Sequence, residues 1–176
     1  IFGWDRLPKK VHLATIWTAA SGTLLSAYFI LAANSFMQNP VGYKFNPDTG
    51  RAELTDFVAV LTNKVALVTF PHTIAGAFIT AGGLVLGVAI WNLVRRPHRD
   101  ADAFRSAAKL GAAVVVVAAI GLAVSGDFQA RVMTEVQPMK MAAAEAQYTT
   151  KDGASFSIFT IGTPDGKEER FSIRVP

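Results

Sequence analysis

Residues 70–94 read FPHTIAGAFITAGGLVLGVAIWNLV, and this stretch decides the fold. It contains one histidine, His72, and no Asp, Glu, Lys or Arg. A helix needs roughly 20 apolar residues to cross the hydrocarbon core of a bilayer. A helix in the core of a soluble protein would carry a polar stripe at the helical period, and this stretch has none. The sequence therefore predicts a transmembrane helix over residues 70–94.

Two further stretches share this character, residues 11–33 and residues 107–125. Neither contains Asp, Glu or Arg, and His12 and Lys109 lie near their ends. The whole chain of 176 residues is 51% hydrophobic, with a mean hydropathy of +0.33 and a net charge of +4. This composition excludes a disordered protein and a nucleic-acid-binding protein. The absence of cysteine excludes disulfides, a zinc cluster and a thiol nucleophile, whereas a haem or carboxylate site remains open.

The basic residues predict the orientation of the three spans. Cytoplasmic flanks of transmembrane helices are enriched in Lys and Arg. Such residues precede the first span and lie between or just inside the second and third: Arg6, Lys9, Lys10, Arg95, Arg96, Arg99, Arg105 and Lys109. We therefore expect the connector at 34–69, and everything after Ser125, on the external side.

Both predicted external segments carry local structure signals. Apolar residues at positions 54, 57, 58, 61, 65 and 68 predict an amphipathic helix that lies in the interface or caps the bundle. Strand-like runs at 155–161 and 170–175 flank a turn at 163–167 that contains Pro and Gly, which predicts a small β-hairpin.

The predicted fold class is an all-α membrane helical bundle with three transmembrane helices, an external amphipathic helix and a small external β-hairpin. Residues 1–125 form the helical part with its connector, and residues 126–176 form an external loop region. Because the sequence starts at Ile1 without an initiator Met and stops within a predicted strand, we expect a piece of a longer protein.

His72 is the first candidate site residue. An imidazole inside a span indicates a functional site by default. Gly76, Gly83 and Gly87 share its helical face, so a flat macrocycle could lie there, and neutral imidazole is a common axial ligand of haem iron. In the alternative interpretation, the glycines are a helix-packing motif and His72 hydrogen-bonds a neighbouring helix.

A second group follows the third span, where Gln137, Lys140 and Glu145 lie in a helix predicted over 134–146, with Asp127 before it. A carboxylate can take a proton from a hydroxyl, while an ammonium or an amide can hydrogen-bond a carbonyl oxygen. This combination suits a quinol being oxidised to a quinone. The alternative is a solvated helix with scattered charges.

Three other polar residues lie in or near the first span. The hydroxyl of Ser26 either passes protons through water or bonds the carbonyl one turn earlier. Asn34 marks the outer end of the span, and His12 either pairs with a haem propionate or reaches towards water.

The residue strings resemble a family, subunit I of the cytochrome bd-type quinol oxidases. Four strings in the same order carry the similarity: GWDRL at 3–7, the run from Ser26 to Pro40, FPHT at 70–73 and QPMKMAAAEA at 137–146. The resemblance covers nearly the whole chain. It implies an internal fragment of the catalytic subunit of a multi-pass terminal oxidase in the bacterial cytoplasmic membrane.

The resemblance implies a role for each candidate residue. His72 matches the histidine that binds iron in the low-spin haem b, and the segment after the third span matches the start of the external quinol-binding loop, the Q-loop. Lys140 and Glu145 match residues associated with quinol oxidation and Gln137 accompanies them, while Asp127 matches an acidic residue near the bound quinone head group. Ser26 matches a serine of the proton route, and Asn34, with His12, belongs to the possible haem environment.

The same resemblance implies membrane quinol and dioxygen as substrates, subunit II and small accessory subunits as partners, and a high-spin haem b and haem d in the complete subunit. The ligands of those two haems and the methionine that completes the low-spin site cannot be placed in this chain. A non-catalytic membrane helical module, such as a transporter segment or an assembly subunit, is the alternative function. A haem b electron carrier that does not reduce oxygen is another.

Overall fold

The computed structural model describes residues 3, 5–95 and 100–175. Two compact units divide the chain, Ile1–Gln129 and Ala130–Pro176. Five helices and four strands follow one another in the described residues: α1 (Lys9–Gln38), β1 (Tyr43–Asn46), β2 (Arg51–Leu54), α2 (Phe57–Leu61), α3 (Lys64–Arg95), α4 (Ala101–Val136), α5 (Pro138–Ala144), β3 (Phe156–Gly162) and β4 (Glu169–Val175). Trp4 of the first family string, and Arg96 and Arg99 of the predicted cytoplasmic flank, lie outside the described residues.

The three predicted spans are confirmed as three long helices, because α1, α3 and α4 are each long and apolar enough to cross a membrane. In the most apolar 18-residue window of each helix, only 6–11% of the residues are buried within the chain. Leu84, Trp91 and Val117 are more than half exposed. Apolar side chains turned outward along whole helices suit a lipid surface or further protein segments and would be unfavourable in water.

The start of α3 is joined to the end of α1 by two asparagines. Asn63, which is 2% exposed, donates from Nδ2 to the carbonyl oxygen of Asn39 at 2.8 Å. Its Oδ1 accepts from the backbone N–H of Val65 at 3.0 Å and so caps the first turn of α3. About two turns further along α3, Phe70 contacts Tyr28 of α1 edge to face at 5.1 Å between ring centroids. These contacts fix the helix that carries His72 against α1.

α3 and α4 pack backbone to backbone through two glycines. A Cβ added at Gly111 would lie 2.8 Å from the carbonyl oxygen of Gly82 and 2.8 Å from the backbone nitrogen of Leu86. A Cβ added at Gly82 would lie 3.0 Å from the carbonyl oxygen of Gly111. A side chain at Gly111 would force the two backbones apart, and the space at Gly82 is tight for any side chain.

The connector between α1 and α3 differs from its prediction. The amphipathic helix predicted over 54–68 was wrong in extent, because Leu54 ends strand β2 and only the short α2 precedes α3. Asp56 and Asn63 explain the division: each side chain accepts a backbone N–H two or three residues later, from Ala59 and Val65, and thereby starts a new helix. Strands β1 and β2 form an antiparallel hairpin that the turn residues alone did not predict.

The single helix predicted over 134–146 was also wrong, because α4 ends at Val136 and α5 begins at Pro138. Proline has no N–H to donate and pushes the preceding residue out of the helical region, and Gln137 has φ −138° and ψ 57°. The predicted tail hairpin is confirmed: β3 and β4 pair antiparallel, and Gly166 in their turn has φ +69°. In that turn the Thr163 hydroxyl and then the Lys167 N–H lower the pKa of Asp165.

Candidate haem-ligand and quinol sites

His72 lies on α3 and faces α4. It is half-buried on α3, and its Nδ1 lies 3.2 Å from the hydroxyl oxygen of Ser125 on α4. That hydroxyl donates to the carbonyl oxygen of Gly121 at 2.7 Å, one turn earlier in α4. Within the part of the chain that the structure describes, no hydrogen bond engages Nε2. One ring nitrogen is thus held by the protein and the other is available to a ligand.

Gly126 lets the imidazole ring approach the backbone of α4. A Cβ at this position would lie 3.3 Å from Cε1 and 3.6 Å from Nδ1 of His72. The ring therefore rests against α4 at two successive residues, Ser125 by a hydrogen bond and Gly126 by contact. A tight environment of this kind holds an imidazole in one orientation.

The glycines predicted to share the face of His72 separate into two kinds. Gly83 and Gly87 have open space where a Cβ would stand, whereas a Cβ at Gly76 would approach Leu122 at 3.9 Å. The helix contact predicted as the alternative role of these glycines is made by Gly82 instead. The face that carries Gly83 and Gly87 is therefore open within the described chain.

An apolar groove of about 680 Å³ runs along the same helix pair. Phe70, Pro71 and Phe78 of α3 line it together with alanines and valines of α4. His72 is not among the residues that line this groove.

In the second unit, a cleft of about 540 Å³ contains the Glu145 side chain. Met139, Met141 and Phe156 supply apolar walls, and Lys151 adds a cation to the same lining. The Glu145 Oε2 accepts from the backbone N–H of Ser157 in β3 at 3.0 Å. A carboxylate beside apolar walls can accept a hydroxyl hydrogen from an aromatic diol.

The hairpin is fastened to the end of α5 by Arg174. Its guanidinium donates to the side-chain oxygen of Gln147 at 2.8 Å and pairs with Glu169. Gln147 in turn donates to the carbonyl oxygen of Ser155 at 3.0 Å. This network holds β3 beside Glu145, so the hairpin fixes the position of the carboxylate.

The other predicted residues are placed as follows. Lys140 is exposed on α5, Gln137 precedes α5, and neither is among the residues that line the cleft. Asp127 is exposed on α4, and Ser26 is exposed on α1. Asn34 accepts from Gln38 at 2.7 Å on its own helix. His12 is only 6% exposed, and its Nδ1 lies 3.5 Å from the position that a Cβ would take at Gly3.

Sequence reasoning missed four residues that build these sites. Ser125 is the last residue of the third predicted span and Gly126 follows it. Both looked like ordinary helix residues, although they lie, like His72, near the predicted external end of a span. Asn63 lay inside a predicted helix, and Lys151 follows α5 in a segment without periodicity. An Asn directly before an apolar run is the one signal that could have located a helix start.

Three long apolar helices, with a half-buried histidine on one of them that contacts another, define an integral membrane helical protein. The family model for cytochrome bd terminal oxidase subunit I matches residues 1–176, and the chain belongs to this family. The membership and the three helices assign it to the bacterial cytoplasmic membrane.

Relatives with the same description cover the chain from end to end. It is 43% identical to a cytochrome bd ubiquinol oxidase subunit 1 of Bacillus subtilis, over 100% of this chain and 37% of that protein. It is 36% identical to the cytochrome bd-II ubiquinol oxidase subunit 1 of Escherichia coli, over 99% of this chain and 34% of that protein. The solved structure of the bd oxidase from Geobacillus thermodenitrificans matches with a TM-score of 0.83 at 27% identity, over 99% of this chain and 40% of that chain. The chain therefore spans little more than a third of the length of these curated relatives.

Proposed function

We propose that this chain is part of the catalytic subunit of a terminal oxidase that oxidises quinol and reduces dioxygen to water. Within it, the chain contributes an axial ligand of the low-spin haem b and part of the quinol site. The observation that carries the proposal is the His72 ring, with Nδ1 at Ser125 and Nε2 available, in a chain of this family.

The described residues fit a haem. An iron ligand must present an unprotonated ring nitrogen, and a ligating histidine almost always donates its other N–H to a neighbouring acceptor. His72 has such a neighbour in Ser125, and Gly83 and Gly87 leave its helix without side chains at two positions of the same face. Bound at Nε2 of His72, a haem supplies one-electron transfer.

The cleft around Glu145 is the proposed place of the quinol head group. Ser157 holds Oε2, which directs the carboxylate, and Oε1 is left to accept a hydroxyl hydrogen within the described part of the chain. The apolar walls suit the ring of a quinol, and its oxidation requires that each hydroxyl lose its proton. Lys140, Gln137 and Asp127 are proposed, from the family resemblance, to hydrogen-bond the oxygens of the head group.

Other parts of the reaction are assigned by the same proposal. Ser26 belongs to a proton route towards the oxygen-reducing site, and Asn34 and His12 belong to the surroundings of a haem. The high-spin haem b and haem d, subunit II and any accessory subunit are proposed for the complete oxidase. In the relatives, about two thirds of the sequence lies outside the matched part.

The test is a dithionite-reduced minus air-oxidised optical spectrum of the full-length enzyme in membranes, recorded for wild type and for His72→Ala. We expect the low-spin haem b band to be lost in the variant while the protein still inserts, because the iron loses a ligand. His98→Ala is the matched control, since it removes an imidazole that lies outside the three predicted spans and that the proposal does not assign to a haem. A low-spin band that survives in His72→Ala contradicts the haem assignment, and no haem in either sample supports the non-catalytic helical module.

A further inference from the structure

We propose that Ser125 is a positioning residue for His72, whose hydroxyl oxygen accepts a hydrogen bond from Nδ1–H and keeps Nε2 as the unprotonated nitrogen. The inference deepens the proposed function and rests on ligation of haem iron by His72. It concerns how the protein selects one of two ring tautomers before the iron binds.

The Ser125 hydroxyl has more neighbours than it has hydrogens to donate. A serine hydroxyl has one hydrogen to donate and lone pairs that accept. The Gly121 carbonyl oxygen lies 2.7 Å away, the usual O–H···O distance, and the Leu122 carbonyl oxygen lies at 3.2 Å. Carbonyl oxygens only accept, so the hydroxyl hydrogen points to this side, mainly to the nearer Gly121 oxygen.

The ring nitrogen that faces this hydroxyl is Nδ1 of His72. With its hydrogen directed to Gly121, the Ser125 oxygen presents only lone pairs to His72 Nδ1, 3.2 Å away. Two lone pairs at that distance would repel, so Nδ1 carries the hydrogen and donates it. A neutral imidazole has one N–H, and Nε2 is then left with the lone pair that binds a metal.

The acceptor cannot easily turn away. Ser125 belongs to the interior of α4, and its hydroxyl is held by a carbonyl group of the preceding turn. Gly126 brings the backbone of the same helix to the ring, because a Cβ there would lie 3.3 Å from His72 Cε1. The Gly82 and Gly111 contact fixes the distance between α3 and α4. The hydrogen bond is therefore part of the packed helix pair.

The expected chemical consequence is a change in the electron density of the ligand. An imidazole that donates its second N–H to an acceptor becomes a more basic ligand, which favours oxidised iron and lowers the reduction potential. Loss of the Ser125 hydroxyl is therefore expected to raise the midpoint potential of the low-spin haem b without removing the haem.

The experiment is a redox titration of the full-length oxidase, followed at the low-spin haem b band, with an infrared reduced-minus-oxidised spectrum of the imidazole ring modes. Ser125→Ala is expected to shift the midpoint potential upward and to shift the ring band. Thr80→Val is the matched control, because the Thr80 hydroxyl also bonds a carbonyl one turn back, that of Gly76, without contacting His72. It is expected to leave both readouts at their wild-type values.

Ser125→Thr restores a hydroxyl that can bond the carbonyl of the preceding turn, and we expect wild-type values for it. If Ser125→Ala does not assemble, Ser125→Thr provides the test: a wild-type ring band in Ser125→Thr supports the proposal and a shifted band overturns it. An unchanged potential and ring band in Ser125→Ala also overturn it, although His72 remains the ligand. Failure of the haem assignment itself is recognised separately, by a low-spin band that survives in His72→Ala.

Discussion

Replacement of Asn63 by alanine is expected to destabilise the joint between α1 and α3. The side chain is 2% exposed and makes two good hydrogen bonds, one to the Asn39 carbonyl oxygen at 2.8 Å and one from the Val65 N–H at 3.0 Å. Val65 itself is only 1% exposed, so water cannot easily replace the lost acceptor. The change removes a helix cap and a link between two helices in one step.

The magnitude follows from these contacts. Loss of an N-cap side chain costs about 1 kcal/mol when water can replace it. Because the Val65 N–H is buried and would lose its acceptor, loss of this cap is expected to cost about 1–3 kcal/mol. The bond to the Asn39 carbonyl oxygen adds about 1 kcal/mol. We expect the free energy of unfolding to fall by about 2–4 kcal/mol in Asn63→Ala.

Asp56→Ala is the matched control, because Asp56 caps α2 through one bond to Ala59 and is exposed. Water can replace that acceptor, so we expect a loss of about 1 kcal/mol or less. The assay is equilibrium unfolding of the full-length subunit in mixed detergent and SDS micelles, followed by tryptophan fluorescence. The reasoning is refuted if the two variants lose equal stability, or if Asn63→Ala stays within about 0.5 kcal/mol of wild type.

Two further changes test the helix contact and the cleft. Gly111→Ala is expected to lower the free energy of unfolding by about 1–3 kcal/mol in the same assay, because its Cβ would meet the Gly82 carbonyl oxygen. Gly22→Ala, at an open position of α1, is the control. Equal stability of the two variants would contradict the backbone contact between α3 and α4. Glu145→Gln is expected to lower kcat of quinol oxidation about 10²-fold or more, because an amide cannot take the hydroxyl proton, with the haem spectrum unchanged. Glu168→Gln, an exposed acid in the same unit, should keep wild-type turnover, and a Glu145→Gln enzyme that also keeps it would exclude Glu145 as a proton acceptor.

Local signals predicted the regular elements well. The three apolar runs became α1, α3 and α4, because a run of that length and hydropathy has few alternatives to a spanning helix. The tail hairpin followed from strand-like runs around a turn in which Gly166 adopts a positive φ. Local rules also account for the helix boundaries at Asn63 and Pro138. At these residues capping and proline chemistry interrupt a helix that apolar periodicity alone predicts as continuous.

The candidate sites were predicted only as single residues. His72, Lys140 and Glu145 stand out because ionisable groups are few beside these apolar runs, and their roles remain proposals. Their neighbours could not be read from the sequence, since the hydrogen bond from Ser157 to Glu145 joins residues on different elements. Lys151 likewise lines the cleft from a segment that has no regular secondary structure, so no sequence periodicity predicts its position.

The sequence by itself determined that this chain has three membrane-spanning helices and that His72 lies within one of them, because hydropathy and length are properties of each segment alone. Only the tertiary structure decided which helix faces meet. Helices that are apolar all round carry no polar stripe to mark the buried face, so periodicity could not choose between Gly82 and its neighbours Gly83 and Gly87. The register of α3 against α4 is set by the close approach of two backbones at Gly82 and Gly111, and that register is what brings Ser125 to His72.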